Sequence, residues 1–121
     1  MNKQYRLKKS HEIENLFKNK KSVGNIYYAM YFKKSSTNKT RVAISVSKKL
    51  GNAVTRNKEK RIIREIIRCY IDIINNLDIL IVERKAALNL SFKEKDKEII
   101  NLINKINRKE KELWKIKRIF L

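Results

Sequence analysis

Hydrophobic positions recur along the chain with two different periods, which predict helices and strands. Near the N-terminus, Ile13, Leu16 and Phe17 fall on one face at helical spacing. Ser10 is a favourable N-cap for a first helix that runs to about Lys18. The pattern therefore predicts a short amphipathic helix at this end of the chain.

Two stretches that follow alternate with a period of two residues, as strands do. Residues 22–34 are rich in aromatic side chains, and residues 41–47 place Val42, Ile44 and Val46 on one face. In the first stretch the two faces carry Tyr27, Ala29 and Tyr31 on one side and Tyr28, Met30 and Phe32 on the other. Tyr28 and Phe32 are expected in the core. A polar connection, residues 35–39, separates the stretches, so we expect an antiparallel pair of strands.

The second half of the chain predicts a long helix and then a buried strand. Gly51 and Asn52 interrupt the alternation, and a helix is expected from Val54 or Thr55 to Asn75. Residues 78–83 (DILIVE) form a short apolar run that is typical of a buried strand.

A capping box marks a last helix, because Ser91 is followed three residues later by Glu94. Its apolar positions continue to about Trp114. The order is then helix, strands, helix, strand, helix, which predicts a single α+β domain over residues 1–121. Its core would cover about residues 5–106, with residues 107–121 as a helical extension or tail.

The charge balance points to a polyanionic partner. Thirty-one Lys and Arg stand against twelve Asp and Glu, which gives a net charge of +19, while 42% of the residues are hydrophobic. Such an excess destabilises a compact fold by self-repulsion, and nucleic acid would relieve it. Ribosomal, DNA-architectural and membrane-surface proteins share this composition. Because the sequence shows neither a secretory signal nor a transmembrane run, we expect a cytoplasmic protein.

Candidate catalytic chemistry is sparse. Cys69 is the only cysteine, and its apolar neighbours favour a small core residue over a nucleophile. His11 is the only histidine and is expected to be exposed. No acidic or histidine cluster recurs at metal-ligand spacing, so we expect neither catalytic residues nor a metal site in this chain.

The middle helix carries a cationic face and an apolar face. Counted at about 100° per residue, an arc of roughly 140° holds the polar set Arg56, Asn57, Lys60, Arg61, Arg64 and Arg68. The opposite arc holds Ile62, Ile63, Ile66, Cys69 and Tyr70. A solvated basic face is the bland alternative. Glu59 and Glu65 are the only acids nearby and project outside the basic arc, so repulsion between like charges favours a ligand-binding face.

The segment RVAISVSKKLGNAVTRNKEKRIIRE, residues 41–65, resembles the signature of the ribonuclease P protein component. The blocks RLKK at residues 6–9 and DILIVERK at residues 78–85 resemble other parts of that family, so the likeness covers about residues 5–106. Three positions depart from it. Lys58 replaces the third residue of an Arg-Asn-Arg triplet, Ala86 stands where the family often has Pro, and Ile13 replaces an aromatic residue.

The resemblance implies a fold and a function. The fold would be an α/β sandwich with a left-handed βαβ crossover around the basic helix, resembling the second domain of the fifth protein of the small ribosomal subunit. The chain would be the protein subunit of ribonuclease P, an endoribonuclease that matures the 5′ end of tRNA. The catalyst would be the RNA subunit, which would also hold Mg²⁺, and no protein partner would be required.

Two surfaces follow from the resemblance. Contact with the catalytic RNA is assigned to Lys48, Lys49, Asn52, Arg56, Asn57, Lys58, Lys60, Arg61, Arg64 and Arg68. A cleft for the single-stranded 5′ leader of precursor tRNA is assigned to Ile13, Phe17 and Tyr31. The alternatives are a ribosomal or general RNA-binding protein and a DNA-binding architectural protein.

Overall fold

Four strands and three helices form the part of the chain described by a computed structural model, residues 5–18 and 21–120. The strands are β1 (Ser22–Gly24), β2 (Tyr28–Lys34), β3 (Arg41–Ser45) and β4 (Leu77–Glu83). The helices are α1 (Ser10–Lys18), α2 (Ala53–Tyr70) and α3 (Phe92–Phe120). Short 3₁₀ turns cover Lys48–Leu50, Ile71–Ile73 and Lys85–Asn89. The α+β class and the order of elements are as the sequence predicts.

The four strands form one sheet in the order β1-β2-β4-β3. Strand β4 pairs antiparallel with β2 and parallel with β3. The expected pairing of the two early strands is therefore wrong, because β4 lies between them. Residues from Leu77 to Ile81 are all buried, and a strand that is apolar on both faces is stable only in the middle of a covered sheet.

Residues 22–34 form a hairpin and not one strand. Asn25 turns the chain, since its Oδ1 accepts hydrogen bonds from the backbone N–H groups of Tyr27 (2.8 Å) and Tyr28 (2.9 Å). Beyond the turn, the predicted alternation is correct. Tyr28 and Phe32 are fully buried on one face of the sheet, and Tyr31 is half-buried on the other.

Helices cover both faces of the sheet. Helices α2 and α3 pack on one face, where Ile63, Ile67, Ile99 and Leu102 join the core of β2, β3 and β4. Helix α1 packs on the other face, where Leu16 meets a smaller cluster with Leu7, Ala43 and Leu80. The sheet thus separates an α2–α3 side from an α1 side.

Helix ends differ from the sequence-based expectations. Ser10 is the first residue of α1 and not its cap, because the N–H of Ile13 donates to the carbonyl of Lys9 (3.2 Å). Helix α2 ends at Tyr70 and not at Asn75, since Ile74 is extended and buried ahead of β4.

Helix α3 begins with the predicted capping box. Glu94 accepts from the Ser91 N–H (3.0 Å), and the Ser91 hydroxyl accepts from the Glu94 N–H (3.2 Å). The hydrogen bond from Ser91 lowers the pKa of Glu94. The helix continues past Trp114 to Phe120.

Two groups of ion pairs connect the secondary-structure elements, one between the sheet and α1 and one between α2 and α3. Arg41 on β3 donates to both carboxylate oxygens of Asp78 (2.9 and 2.8 Å) and pairs with Glu12 on α1 at 2.7 Å. The hydrogen bond to Asp78 raises the pKa of Arg41. On the other side, Lys95 of α3 donates to both oxygens of Glu59 on α2 (2.8 and 2.9 Å), and both side chains are buried.

Helix α2 connects the parallel strands β3 and β4, so the basic helix lies within a βαβ unit. The left hand of this crossover stays a prediction. Across the described residues, none of the helices combines the length and apolar character needed to cross a bilayer.

Candidate RNA-binding surface

The turn between β3 and α2 places two lysines and a helix N-terminus together. Ser47 caps the 3₁₀ turn by accepting from the Lys49 N–H (3.0 Å), and Lys48 and Lys49 are both exposed. Gly51 follows with φ of 155°, where a Cβ would lie 3.0 Å from two carbon atoms of Thr55. Glycine is therefore required at this position for α2 to start directly behind the lysines.

Asn52 has a structural role at this turn. Its Oδ1 accepts from the Thr55 N–H (2.9 Å), which makes it the N-cap of α2. The amide nitrogen of Asn52 makes no hydrogen bond among the described residues and is available to donate in the RNA contact that was predicted for it.

The polar face of α2 is rotated relative to the prediction. Glu59, Ile63, Ile66 and Ile67 are the buried residues of this helix, whereas Cys69 is exposed. The core position predicted for Cys69 is therefore wrong. Glu59 was expected to project outside the basic face, but not to be buried, and its pairing with Lys95 draws that side of α2 inward.

The predicted RNA-binding residues of α2 divide into two groups by exposure. The half-buried group contains Arg56, Lys60 and Arg64, and the exposed group contains Asn57, Lys58, Arg61 and Arg68. The Nε of Arg56 is buried without a hydrogen-bond partner among the described residues. Lys58, which only the family resemblance adds to this set, is among the exposed residues.

Arg68 is the one member of this set with an ion pair among the contacts of the described residues. Its Nη2 lies 2.9 Å from Glu65, and both side chains are more than half exposed. The charge of Arg68 is thus partly offset by Glu65. The sequence had indicated that Glu65 projects outside the basic face and leaves its charge unrelieved. An exposed ion pair of this kind contributes little to stability. Arg68 can therefore readily leave Glu65 for another anion.

Nine of the twelve acidic side chains take part in a hydrogen bond or an ion pair among the described residues, so few acids are left to offset the unpaired cations. Those with a hydrogen bond or an ion pair in the described residues are Glu12, Glu59, Glu65, Asp78, Glu83, Glu94, Asp96, Glu98 and Glu110. Asp96, for example, accepts from the Tyr70 hydroxyl (2.7 Å) and raises the pKa of Tyr70 to about 12.

The predicted leader residues come together on the opposite face of the sheet. The rings of Phe17 on α1 and Tyr31 on β2 lie 5.1 Å apart, tilted by 48°. Ile13 is half-buried and packs on the same small cluster as Tyr31. Phe17 is 50% exposed, so one aromatic face is open to solvent.

A shallow groove continues from Tyr31 along β1 and the hairpin turn. It ends at Arg84, an exposed residue whose N–H donates to the carbonyl of Tyr27 (2.8 Å). Arg84 escaped the sequence-based reasoning, since it follows β4 and only the pairing of β4 with β2 brings it near Tyr31.

A buried acidic group lies beneath the α2–α3 side. Burial raises the pKa of Glu83 to about 7, and the charge of Glu59 adds to this effect, while Lys95 and the Tyr28 hydrogen bond oppose it. Burial and Glu83 also raise the pKa of Tyr28. The Tyr28 hydroxyl donates to Glu83 (3.4 Å), and the other oxygen of Glu83 has no partner in the described residues.

Metal-ligating side chains do not converge. In residues 5–18 and 21–120, no three His, Cys, Asp or Glu residues lie together in a group that could hold a metal ion. His11 is exposed on α1, as expected.

Comparison with known proteins identifies the family. The family model described as Ribonuclease P matches residues 1–107. The chain belongs to the ribonuclease P protein family. The ribonuclease P protein component of Clostridioides difficile is 40% identical over 101 residues, which are 82% of this chain and 89% of that protein. The corresponding protein of Bacillus velezensis is 38% identical, over 87% of this chain and 91% of that protein.

Solved structures of ribonuclease P proteins share the fold. The Staphylococcus aureus protein aligns with a TM-score of 0.77 and 34% identity, covering 83% of this chain and 93% of that one. The Thermotoga maritima protein aligns with a TM-score of 0.76 and 31% identity, covering 83% and 96%. The family model ends at residue 107, whereas α3 continues to Phe120.

Proposed function

We propose that this chain is the protein subunit of a ribonuclease P ribonucleoprotein that removes the 5′ leader from precursor tRNA. It binds the catalytic RNA through the β3–α2 turn and the exposed side of α2. The observation that carries this proposal is the cationic surface formed there by Lys48, Lys49, Lys58 and Arg61. Exposed Arg and Lys side chains neutralise phosphates and release counterions, which supplies most of the affinity for a structured RNA.

The other face of the sheet binds the leader. An aromatic face stacks on any base and so suits a leader of variable sequence. The tilted pair of Phe17 and Tyr31 supplies this platform, and the groove beside Tyr31 continues it toward Arg84, whose guanidinium reaches a phosphate. The two RNA partners thus occupy opposite sides of one sheet.

Cleavage itself belongs to the RNA subunit. Cleavage of a phosphodiester assisted by two metal ions needs several converging carboxylates or phosphates, and the described residues do not bring three acidic or histidine ligands together. RNA phosphates then hold the Mg²⁺ ions. The contribution of the protein is to neutralise backbone charge and to position the substrate, which matters most when Mg²⁺ is scarce.

Reconstitution tests this proposal. The full chain is added to a bacterial ribonuclease P RNA at low Mg²⁺, and 5′ leader cleavage of a precursor tRNA is measured. We expect faster cleavage than with the RNA alone. Unchanged cleavage, together with no binding of the RNA, would contradict the proposal. Nucleic acid that co-purifies from the cell separates the alternatives, since ribosomal RNA or DNA would point away from ribonuclease P.

A further inference from the structure

The C-terminal part of α3, beyond the residues that the family model matches, carries a row of cations. Helix α3 continues without a break from residue 107, the last matched residue, to Phe120. Residues 108–120 contain six Lys or Arg and two Glu. At 1.5 Å per residue this segment adds about 20 Å of helix.

Four of these cations recur with the period of a helix. They are spaced three, four and three residues apart and form what we call the distal stripe: Arg108, Lys111, Lys115 and Arg118. This spacing puts them in one row within an arc of roughly 80°. Toward the N-terminus the row continues through Asn104, Asn101 and Lys97, and all of these positions are exposed.

The distal stripe faces away from the core. The buried side of α3 is defined by Ile99, Leu102, Ile103 and Ile106. On a helical wheel the centre of the stripe lies roughly 150° from the centre of these four residues. The flank of α3 that meets the end of α2 is marked by the hydrogen bond from Asn107 Nδ2 to the Ile73 carbonyl (3.1 Å). The stripe begins beside that flank, on the same side of the sheet as the exposed face of α2.

Three of the four cations of the stripe are not neutralised by the described residues. Arg108, Lys111 and Lys115 take part in no hydrogen bond or ion pair among the described residues. The neighbouring Glu110 is instead paired with Lys21 (3.8 Å). Like charges at a spacing of three or four residues destabilise a helix, so an anionic partner would relieve the repulsion.

Amide side chains extend the surface beside Arg108. Asn101, Asn104, Arg108 and Lys111 line one shallow polar groove, in which Glu98 is occupied by a hydrogen bond from Asn25 (3.0 Å). Amides donate to phosphate and sugar oxygens and complement the charged contacts.

We propose that the distal stripe is a second RNA-binding surface, which grips the phosphate backbone of the RNA subunit beyond the region held by α2. The proposal rests on the proposed function, because it takes the same RNA as its ligand. The RNA subunit is favoured over precursor tRNA since the stripe lies on the α2 side of the sheet, and the leader groove lies on the other side.

Salt-dependent binding tests the proposal. The full-length variant R108Q/K111Q/K115Q is compared with K9Q/K18Q/K85Q, which removes three exposed lysines from other parts of the surface. Gln has a helix propensity close to that of Lys and Arg, so α3 is expected to persist, and circular dichroism checks this. Binding to ribonuclease P RNA, and separately to precursor tRNA, is measured over a range of salt concentrations.

The stripe variant should lose roughly tenfold or more in affinity, and its slope of log K against log salt should fall by about 2 to 3. Equal slopes in the two variants, with the wild type binding normally, would overturn the stripe proposal alone. Failure of the wild type to bind the RNA would instead overturn the proposed function. A loss of affinity confined to precursor tRNA would also overturn the choice of the RNA subunit.

Ile116 and Ile119 are exposed beside the stripe, so α3 could instead bind a membrane surface, and a second experiment with lipid vesicles tests this. Vesicles containing phosphatidylserine are offered to the wild type and to the stripe variant. Binding by the wild type alone, with unchanged RNA slopes, would identify an interfacial helix and overturn the proposal. Weak vesicle binding that is equal in both proteins, with a reduced RNA slope in the variant, supports it.

Discussion

At the scale of single residues, exposure and pairing distinguish the cations of α2. Arg61 is exposed and makes no hydrogen bond or ion pair among the described residues, whereas Arg68 is held by Glu65. Arg56 carries a buried Nε without a partner. Arg61 is therefore the side chain best placed to give its whole charge to a phosphate.

Replacing Arg61 by Ala should weaken binding of the RNA subunit and reduce the slope of log K against log salt by about 1, because one phosphate contact is lost. Titration of labelled RNA at several salt concentrations measures both quantities. Lys85→Ala is the matched control, since Lys85 is exposed and lies far along the chain from α2. An unchanged slope in Arg61→Ala would place that side chain outside the interface.

Phe17 belongs to the same scale, because its open ring face is the contact that we assign to the leader. Phe17→Ala should weaken binding of precursor tRNA by the holoenzyme and leave mature tRNA unaffected, since stacking contributes about 1–3 kcal/mol per base. Phe92→Ala is a control of similar exposure, 55% against 50% for Phe17. Equal losses for both tRNAs would indicate a packing role for Phe17.

At the scale of elements, one buried ion pair fixes how α2 lies against α3. The ammonium group of Lys95 donates hydrogen bonds of 2.8 and 2.9 Å to the two carboxylate oxygens of Glu59, and both side chains are buried. Such a pair gives little net stability compared with apolar residues, but a single partner left alone is costly. The role of this ion pair is to orient α2: Glu59 lies on the inner side of the helix, and Arg61 lies on the outer side.

Lys95→Met should therefore destabilise the protein by roughly 3 kcal/mol, because it leaves the Glu59 carboxylate buried without its partner. The double variant E59L/K95M should recover most of this loss. Urea denaturation at pH 8 measures the free energy of unfolding. If the double variant is as unstable as the single one, lost packing and not the stranded charge is the cause.

At the scale of the whole molecule, three acids are buried, whereas nearly all of the described Lys and Arg side chains remain at least partly exposed. A net charge of +19 would oppose folding even more strongly if the acids were spread over the surface. Instead Glu59, Asp78 and Glu83 are buried, and two of them neutralise Lys95 and Arg41. The molecule thus presents exposed cations on the α2–α3 side and an aromatic pair on the α1 side.

Glu83 makes the stability of the protein depend on pH. Its pKa in the folded protein is about 7, raised mainly by burial, against an ordinary value of 4.5. The folded state then holds more protons than the unfolded state between these values, so stability falls as pH rises through this window and levels off above it. The contribution amounts to roughly 3 kcal/mol across the window.

Glu83→Gln should remove this decline and make the variant more stable than the wild type above pH 7. The measurement is the free energy of unfolding at intervals from pH 4.5 to pH 8. Glu14→Gln, at an exposed position of α1, should keep the wild-type profile. Parallel profiles for Glu83→Gln and the wild type would show that another group controls the pH dependence.

The sequence by itself determined the local features. Hydrophobic periodicity located the three helices and the alternating strands, and the capping box of Ser91 and Glu94 was read correctly. These features depend on neighbours within four residues, so they are visible in the chain. The helical wheel likewise identified α2 as cationic, because its apolar residues mark one side of the helix and leave the other side to Lys and Arg.

Only the tertiary structure decided which distant residues meet. The order of the strands could not be predicted from the sequence, because it depends on which strand is buried on both faces. That strand is β4, which lies between β2 and β3. The burial of Glu59 required Lys95 from another helix, and this pair turned α2 so that Cys69 became exposed. The approach of Arg84 to Tyr31 likewise required pairing between β2 and β4. Packing between elements, which local periodicity does not encode, therefore set the shape of the candidate surfaces.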